Sequence, residues 1–139
     1  MPRFVSPQEA HDLMEREGYV YVDVRSPEEY GASHPRGAIN IPFLFFTPEG
    51  RKPNPEFVAA FRKAMPPGSK FIVGCAGGNR SAMAIEVLER EGWSEILECK
   101  AGFAGRKDEQ GRVVETGWSA AGLPCESGQP AGRSWDDLR

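Results

Sequence analysis

The sequence predicts an α/β fold in which a central parallel β-sheet carries helices on both faces. Two short apolar runs, YVYVDV at 19–24 and KFIVG at 70–74, have the β-branched and aromatic content of buried strands. Segments with helical spacing and helix-capping residues separate such runs along the chain. Strands and helices that alternate in this order form βαβ units, and these units build parallel sheets covered on both sides.

Capping residues predict where the first two helices begin. Ser6 and Ser26 are each followed by a proline and, three positions along the chain, by Glu9 and Glu29. This spacing is typical of a capping box, in which the serine and glutamate side chains bond to free amides of the first turn. Gly18 predicts the end of the first helix, because glycine readily adopts the left-handed conformation found after a last turn.

The later elements are predicted from apolar spacing and turn residues. Asn54 precedes a helix whose apolar face consists of Phe57, Phe61 and Met65. A helix over 80–91 is expected to face inward with Met83, Val87 and Leu88. Short strands are predicted at 37–40 and 94–100. The segment FLFFTPEGRKPN at 43–54 is predicted to be a loop, because it contains strong turn formers.

The length of 139 residues fits one compact domain, which we place at residues 1–124. Residues 125–139, CESGQPAGRSWDDLR, are rich in glycine, proline and serine. They are expected to form a loosely packed C-terminal extension in which Trp135 docks back onto the domain.

Charge, hydropathy and cysteine content exclude several function classes. The net charge of −3 argues against general nucleic-acid binding. The sequence contains no basic leader before an apolar stretch and no apolar run long enough to cross a bilayer, so we expect no membrane association and a cytoplasmic location.

The three cysteines are widely spaced and form no CxxC pair, so neither a disulfide framework nor a metal site is predicted. No cofactor is expected. Cys99 is interpreted as a packing residue and Cys125 as an incidental thiol.

The segment CAGGNRS at 75–81 carries the candidate chemistry. It lies between a predicted strand and a predicted helix, which puts Cys75 at the carboxyl edge of the sheet, where α/β proteins bind ligands. The loop amides are expected to form a concave ring of donors that suits an anion and favours the nucleophilic thiolate of Cys75. The residues of this ring are Ala76, Gly77, Gly78, Asn79, Arg80 and Ser81.

Two loop side chains have predicted roles of their own. Arg80 supplies a fixed positive charge at the rim, where its planar fork either engages two oxygens of an anion or bonds to loop carbonyls. Ser81 is expected to cap the amides two or three residues further along the chain and so to stiffen the loop.

The loop resembles that of rhodanese-type sulfurtransferases, which has the form C-x-x-G-x-R-S, matched here by Cys75, Gly78, Arg80 and Ser81. The segment DVRSPEEYGASHPRGAINIP at 23–42 is similar to the upstream signature of that family, and GWSAAGLP at 117–124 is similar to its C-terminal ending. The resemblance implies a single-domain, rhodanese-like sulfurtransferase that carries a persulfide on its loop cysteine. The implied donor is thiosulfate or a persulfide, and the implied acceptor is a thiol or cyanide. A sulfur-relay protein is a further candidate partner.

Two other interpretations stay open. Cysteine phosphatases and arsenate reductases use a related loop, but the phosphatase loop has one residue more between cysteine and arginine than the four found here. The shorter loop favours a single terminal sulfur over a phosphate. The second alternative is a module that carries or senses sulfur for a partner protein without turnover, and the presence of Cys75 is compatible with it. Cys125 is an alternative second thiol that resolves a persulfide.

Charged residues upstream of the loop are interpreted as structural, because a thiolate that attacks sulfur needs no general base. Arg25 is expected to pair with Glu29, and Asp23 to fix a nearby loop. His34 is expected to be a hydrogen-bonded structural residue.

The segment at 104–116 departs from the pattern of the family by adding residues before Trp118. Arg106 and Lys107, which lie within it, are candidates for the rim of the substrate site.

Overall fold

A computed structural model describes residues 3–139 of the chain. The strands are β1 (Arg3–Phe4), β2 (Val20–Asp23), β3 (His34–Pro35), β4 (Ile39–Asn40), β5 (Leu44–Thr47), β6 (Gly50–Pro53), β7 (Phe71–Gly74), β8 (Leu97–Cys99), β9 (Arg106–Lys107), β10 (Val113–Glu115) and β11 (Cys125–Glu126). The helices are α1 (Pro7–Glu17), α2 (Pro27–Ala32), α3 (Phe57–Ala64), α4 (Asn79–Arg90) and α5 (Trp135–Leu138). Within residues 3–139, every helix is too short or too polar to cross a bilayer.

Five parallel strands form the central sheet, in the order β1, β8, β7, β2, β4. Because successive side chains of a strand point to opposite faces, the sheet divides the core into two clusters. Val22 and Val73 face α3, α4 and α5, whereas Tyr21 and Ile72 face α1 and α2. The predicted parallel sheet with helices on both faces is confirmed.

Both predicted capping boxes are present. The Ser6 and Ser26 hydroxyls accept hydrogen bonds from the amides of Glu9 and Glu29, whose carboxylates accept from the two serine amides in return. Gly18 ends α1 with a φ of 70°. The prediction was less accurate at α3, which begins at Phe57, because Asn54 forms a turn by accepting from the amide of Glu56 before the helix starts.

The predicted loop at 43–54 is instead a β-hairpin, formed by β5 and β6. Phe45 packs on the core, and Phe46 stays 45% exposed on the other side of the strand. The prediction was wrong because the turn formers occupy only the middle of the segment, and the consecutive aromatic residues hide the alternation of a two-sided strand.

Of the three residues predicted to face inward from α4, Leu88 is buried, Val87 is half-buried, and Met83 was predicted wrongly. The buried stripe of α4 consists of Arg80, Ser81, Ala84, Ile85 and Leu88. This stripe places Met83 on the outer side of the helix, where it is 41% exposed.

The C-terminal extension packs closely on the rest of the chain rather than loosely. Trp135 is 3% exposed and lies in the core cluster that also contains Phe57 and Phe61. Strand β11 pairs antiparallel with β3, and the Glu126 carboxylate accepts hydrogen bonds from the amide of Gly37 and the guanidinium of Arg133. Main-chain pairing and side-chain burial therefore both hold this segment in place.

Replacing Trp135 by alanine is expected to lower the free energy of unfolding by about 3 kcal/mol, because it leaves a cavity in the core. Urea denaturation followed by circular dichroism measures this change. Asp136→Ala, at the exposed neighbouring position, is the matched control and is expected to change stability by less than about 0.5 kcal/mol. Equally small effects of both substitutions would contradict the docking of the extension.

Candidate active site

Cys75 lies at the carboxyl end of β7, a central strand of the sheet, as predicted. The chain bends through residues 76–78, and α4 begins at Asn79. The Cys75 side chain is 2% exposed, so it forms the floor of the loop.

Two loop amides point at the cysteine sulfur. The amide nitrogens of Gly78 and Ser81 donate to Cys75 Sγ over 3.2 and 3.3 Å. The amides of Gly77, Asn79 and Arg80 have no hydrogen-bond acceptor in the described part of the chain. Since Gly78 is the N-cap of α4 and Ser81 lies in its first turn, the positive end of the helix dipole also faces the sulfur. The loop thus has two donors on the sulfur and further donors free for a second atom.

Gly78 is required where it stands. Its φ is 102°, and a Cβ at this position would lie 2.8 Å from the carbonyl oxygen of Lys100. A side chain here would therefore push aside the residue whose amide bonds to Cys75 Sγ.

The segment after β8 holds the loop from behind, a contact that the sequence analysis missed. The amides of Phe103 and Ala104 donate to the carbonyl oxygens of Cys75 and Ala76 over 2.8 and 2.9 Å. Gly102 permits this approach, because a Cβ there would lie 2.2 Å from the Cys75 carbonyl oxygen. The two glycines of AGFAG at 101–105 were the sequence feature that could have predicted this close approach.

Arg80 does not point its guanidinium at the anion site or at loop carbonyls. Its two terminal nitrogens donate to the two carboxylate oxygens of Glu29, over 2.6 and 3.0 Å. Burial alone would raise the pKa of Glu29, but the hydrogen bonds from Arg80 and Ser26 outweigh it and lower that pKa to about 2. Arg80 thus ties the start of α4 to α2, and both predicted roles for its fork are wrong.

The predicted pairing of Arg25 with Glu29 is also wrong, since Arg25 pairs with Asp23. The Arg25 side chain donates to both carboxylate oxygens of Asp23 and to the carbonyl of Ser33, and both charged side chains are buried. Its guanidinium lies 4.5 Å from the ring centre of Phe103, the residue whose amide holds the Cys75 carbonyl. The pair therefore supports the loop from a distance.

Ser81 is not a cap, because the N-cap position of α4 is Gly78. The Ser81 hydroxyl donates to Glu98 Oε2 over 2.7 Å and lies 3.5 Å from Cys75 Sγ. Glu98, which the sequence analysis missed, is 1% exposed in β8. The sequence gave no signal for this residue, because the position of Glu98 beside the loop depends on strand pairing.

His34 is fully buried, and its hydrogen bonds are structural contacts outside the cysteine loop. Its ring nitrogens lie 2.6 Å from the Tyr30 carbonyl oxygen and 3.0 Å from Glu126 Oε1. These contacts join α2 to the C-terminal extension.

Arg106 and Lys107 lie beside the loop, where they line an open groove with Gly77, Gly78, Asn79, Ala82, Met83 and Lys100. The other two cysteines differ in burial. Cys99 is fully buried, and burial raises the pKa of its thiol to about 11, whereas Cys125 is exposed. Among residues 3–139, no three His, Cys, Asp or Glu side chains come together as metal ligands.

Known proteins resemble the chain over most of its length. The profile of the Rhodanese-like domain family matches residues 6–109. Thiosulfate sulfurtransferase 16, chloroplastic, of Arabidopsis thaliana is 35% identical over 91% of this chain and 95% of that protein. Protein HIGH ARSENIC CONTENT 1, mitochondrial, of the same plant is 32% identical over 77% of this chain and 66% of that protein. The crystal structure of Rv0390 from M. tuberculosis has a TM-score of 0.70 at 30% identity, and covers 90% of this chain and 97% of that one.

Gly78→Ala is expected to slow the reaction of Cys75 with iodoacetamide at neutral pH by about tenfold or more, because it displaces a donor to the thiolate. Peptide mass spectrometry over time measures the rate. Gly92→Ala is the matched control, since Gly92 has a similar φ of 111° but open space around its Cβ position. It is expected to share the strain of about 1 kcal/mol while leaving Cys75 reactivity unchanged. Equal rates in both variants would contradict the role of the Gly78 amide.

Glu29→Gln is expected to lower the free energy of unfolding by about 1 to 2 kcal/mol at pH 7, because it removes the charge facing Arg80 while a glutamine still completes the capping box. The pKa of Glu29 is lowered from 4.5 to about 2, so its stabilising effect is complete above pH 4.5 and is lost as the pH falls toward 2. Urea unfolding at several pH values measures the difference. A difference that persists unchanged at pH 2 would contradict the pairing.

Proposed function

Since the chain belongs to the Rhodanese-like domain family, we propose that it is a sulfurtransferase that moves a sulfane sulfur through a persulfide on Cys75. The donor is thiosulfate or a persulfide, and the acceptor is a thiol or cyanide. The observation that carries the proposal is the pair of main-chain amides, from Gly78 and Ser81, that donate to Cys75 Sγ. Donors fixed by the backbone stabilise an anionic sulfur without any rearrangement.

In the first step, the Cys75 thiolate attacks the outer sulfur of thiosulfate. The new bond joins Sγ to that sulfur, the sulfur–sulfur bond of thiosulfate breaks, and sulfite leaves with its electron pair. The charge of the persulfide lies on the outer sulfur, and the unpartnered amides of Gly77, Asn79 and Arg80 are the donors available to it. The narrow loop and its depth favour a single atom over a phosphate.

In the second step, a thiol or cyanide attacks the outer sulfur and restores the Cys75 thiolate. Because one product leaves before the acceptor reacts, the kinetics are ping-pong. The Arg80 charge is already matched by Glu29, so attraction of an anionic donor falls to the loop amides and to the basic side chains of the groove. We assign Lys100, Arg106 and Lys107 to that steering role.

Two alternatives are separated by experiment. A sulfur-carrying module would accept sulfur from a protein persulfide without turnover on thiosulfate. A phosphatase or arsenate reductase would act on phosphate esters or arsenate, and one relative has a name that refers to arsenic content. The four residues between Cys75 and Arg80 count against that chemistry.

A reducing compartment keeps Cys75 as a free thiol, and we propose that this compartment is the cytoplasm.

Incubation with thiosulfate is expected to add the mass of one sulfur atom to the intact protein, and cyanide is expected to remove it. Cys75→Ser is expected to abolish the gain, because the nucleophile is lost, whereas Cys125→Ser, at an exposed thiol outside the loop, is the control that keeps it. Intact-mass spectrometry measures both. A gain only from a protein persulfide would support the carrier, and a gain that survives Cys75→Ser would refute the proposal.

A further inference from the structure

The buried acid beside the loop forms no ion pair within the described part of the chain. Glu98 is 1% exposed, and no Lys, Arg or His side chain of residues 3–139 lies within salt-bridge distance of it. Its carboxylate accepts one side-chain hydrogen bond, from the Ser81 hydroxyl. A carboxylate in this setting is costly to keep ionised, so its presence calls for a function beyond packing.

Ser81 connects this acid to the cysteine. Its Oγ lies 3.5 Å from Cys75 Sγ, oriented to accept from the thiol, and it donates to Glu98 Oε2 over 2.7 Å. All three side chains are at most 2% exposed. The Ser81 hydroxyl also lies 3.2 Å from the Gly78 carbonyl oxygen, but its shorter contact is the one with Glu98. The hydrogen bonds therefore lead from a thiol, through a hydroxyl, to a carboxylate.

We propose that Cys75 and Glu98 share one proton through the Ser81 hydroxyl, so that Glu98 is the internal acceptor for the proton of the nucleophile. The S–H bond of Cys75 breaks as its proton passes to Ser81 Oγ, and the original Ser81 hydroxyl proton passes to Glu98 Oε2. The negative charge moves from the carboxylate to the sulfur, and no other reactant is needed. Glu98 acts through Ser81 and is therefore a positioning residue.

The proton on Glu98 then determines what Ser81 does. A neutral Glu98 donates to Ser81 Oγ and releases the hydroxyl proton. A charged thiolate is a stronger acceptor than the Gly78 carbonyl, which lies 3.2 Å from Ser81 Oγ, so the hydroxyl becomes a third donor to Cys75 Sγ, beside the two amides. An ionised Glu98 instead accepts a hydrogen bond from the Ser81 hydroxyl. Its negative charge then lies near the sulfur, and this disfavours the thiolate.

The neighbouring charges are consistent with a shared proton. Burial raises the pKa of Glu98, against the opposing effects of the Ser81 hydrogen bond and the charge of Lys100, and this brings the carboxyl closer to the range of a thiol. Cys99, the next residue of β8, points to the other face of the sheet but interacts electrostatically with Glu98, and its thiol stays neutral because burial raises its pKa to about 11. Arg80 and Tyr21 are the titratable groups that interact with Cys75. Arg80 is matched by Glu29, and burial raises the pKa of Tyr21, so it is neutral.

The test measures the rate of Cys75 alkylation by iodoacetamide against pH, in a Cys125→Ser background that removes the exposed thiol. Glu98→Gln keeps the shape and mimics the neutral acid, so its profile is expected to show one transition, with a midpoint about one pH unit below the main transition of the parent. Glu86→Gln, at an exposed site on α4, is the matched control and is expected to change nothing. Overlapping profiles for Glu98→Gln and the parent would overturn the proposal.

A double-mutant cycle tests the role of the hydroxyl. In a Ser81→Ala background, Glu98→Gln is expected to shift the midpoint by at most half as much, because only the direct charge effect remains. An undiminished shift would overturn the relay through Ser81.

A second measurement needs no variant of Glu98. With ¹³C-labelled glutamate carboxyls, one resonance is expected to show a titration step at the midpoint of Cys75 alkylation, and this step is expected to vanish once Cys75 is alkylated. The absence of any such resonance would overturn the proposal. The inference rests on the proposed function only in taking Cys75 as the nucleophile. Alkylation requires no sulfur transfer, so a failure of either proposal is seen separately.

Discussion

The hydrogen bonds from the Gly78 and Ser81 amides to Cys75 Sγ are the contacts on which the site depends. Backbone donors are fixed in direction by the fold, so they act on a charge without first being ordered. They require a left-handed Gly78, a helix that begins at Asn79, and a strand that delivers the cysteine at its carboxyl end. The parallel sheet, the loop and α4 are therefore parts of one anion-binding arrangement.

The charged residues near the loop serve mainly to hold these parts together. Arg80 and Glu29 join α4 to α2, while Arg25 and Asp23 brace the segment whose amides hold the carbonyls behind Cys75. Because the Arg25–Asp23 pair is buried, removing one of its partners leaves an uncompensated charge, which is strongly destabilising. Arg25 and Arg80 thus stabilise the geometry of the site, whereas the reacting groups are the cysteine sulfur and the backbone amides.

Local signals made most of the fold predictable from the sequence. Capping boxes, short apolar runs and the CAGGNRS loop depend on residues close together in the chain, and the structure matches them nearly residue by residue. Partner choice was not predictable in the same way. Arg25 and Glu29 are four residues apart, yet each pairs with another residue, and Glu29 pairs with Arg80 from a distant helix. Contacts of Glu98 and Gly102 with the loop likewise arise from strand pairing and close approach.

A crystal structure of the protein after exposure to thiosulfate is the most direct test of the central claim. The account predicts one additional sulfur bonded to Cys75 Sγ, within hydrogen-bond distance of the loop amides around residues 77–80. An unmodified Cys75 under conditions that yield sulfite, or an added sulfur on another residue, would contradict it.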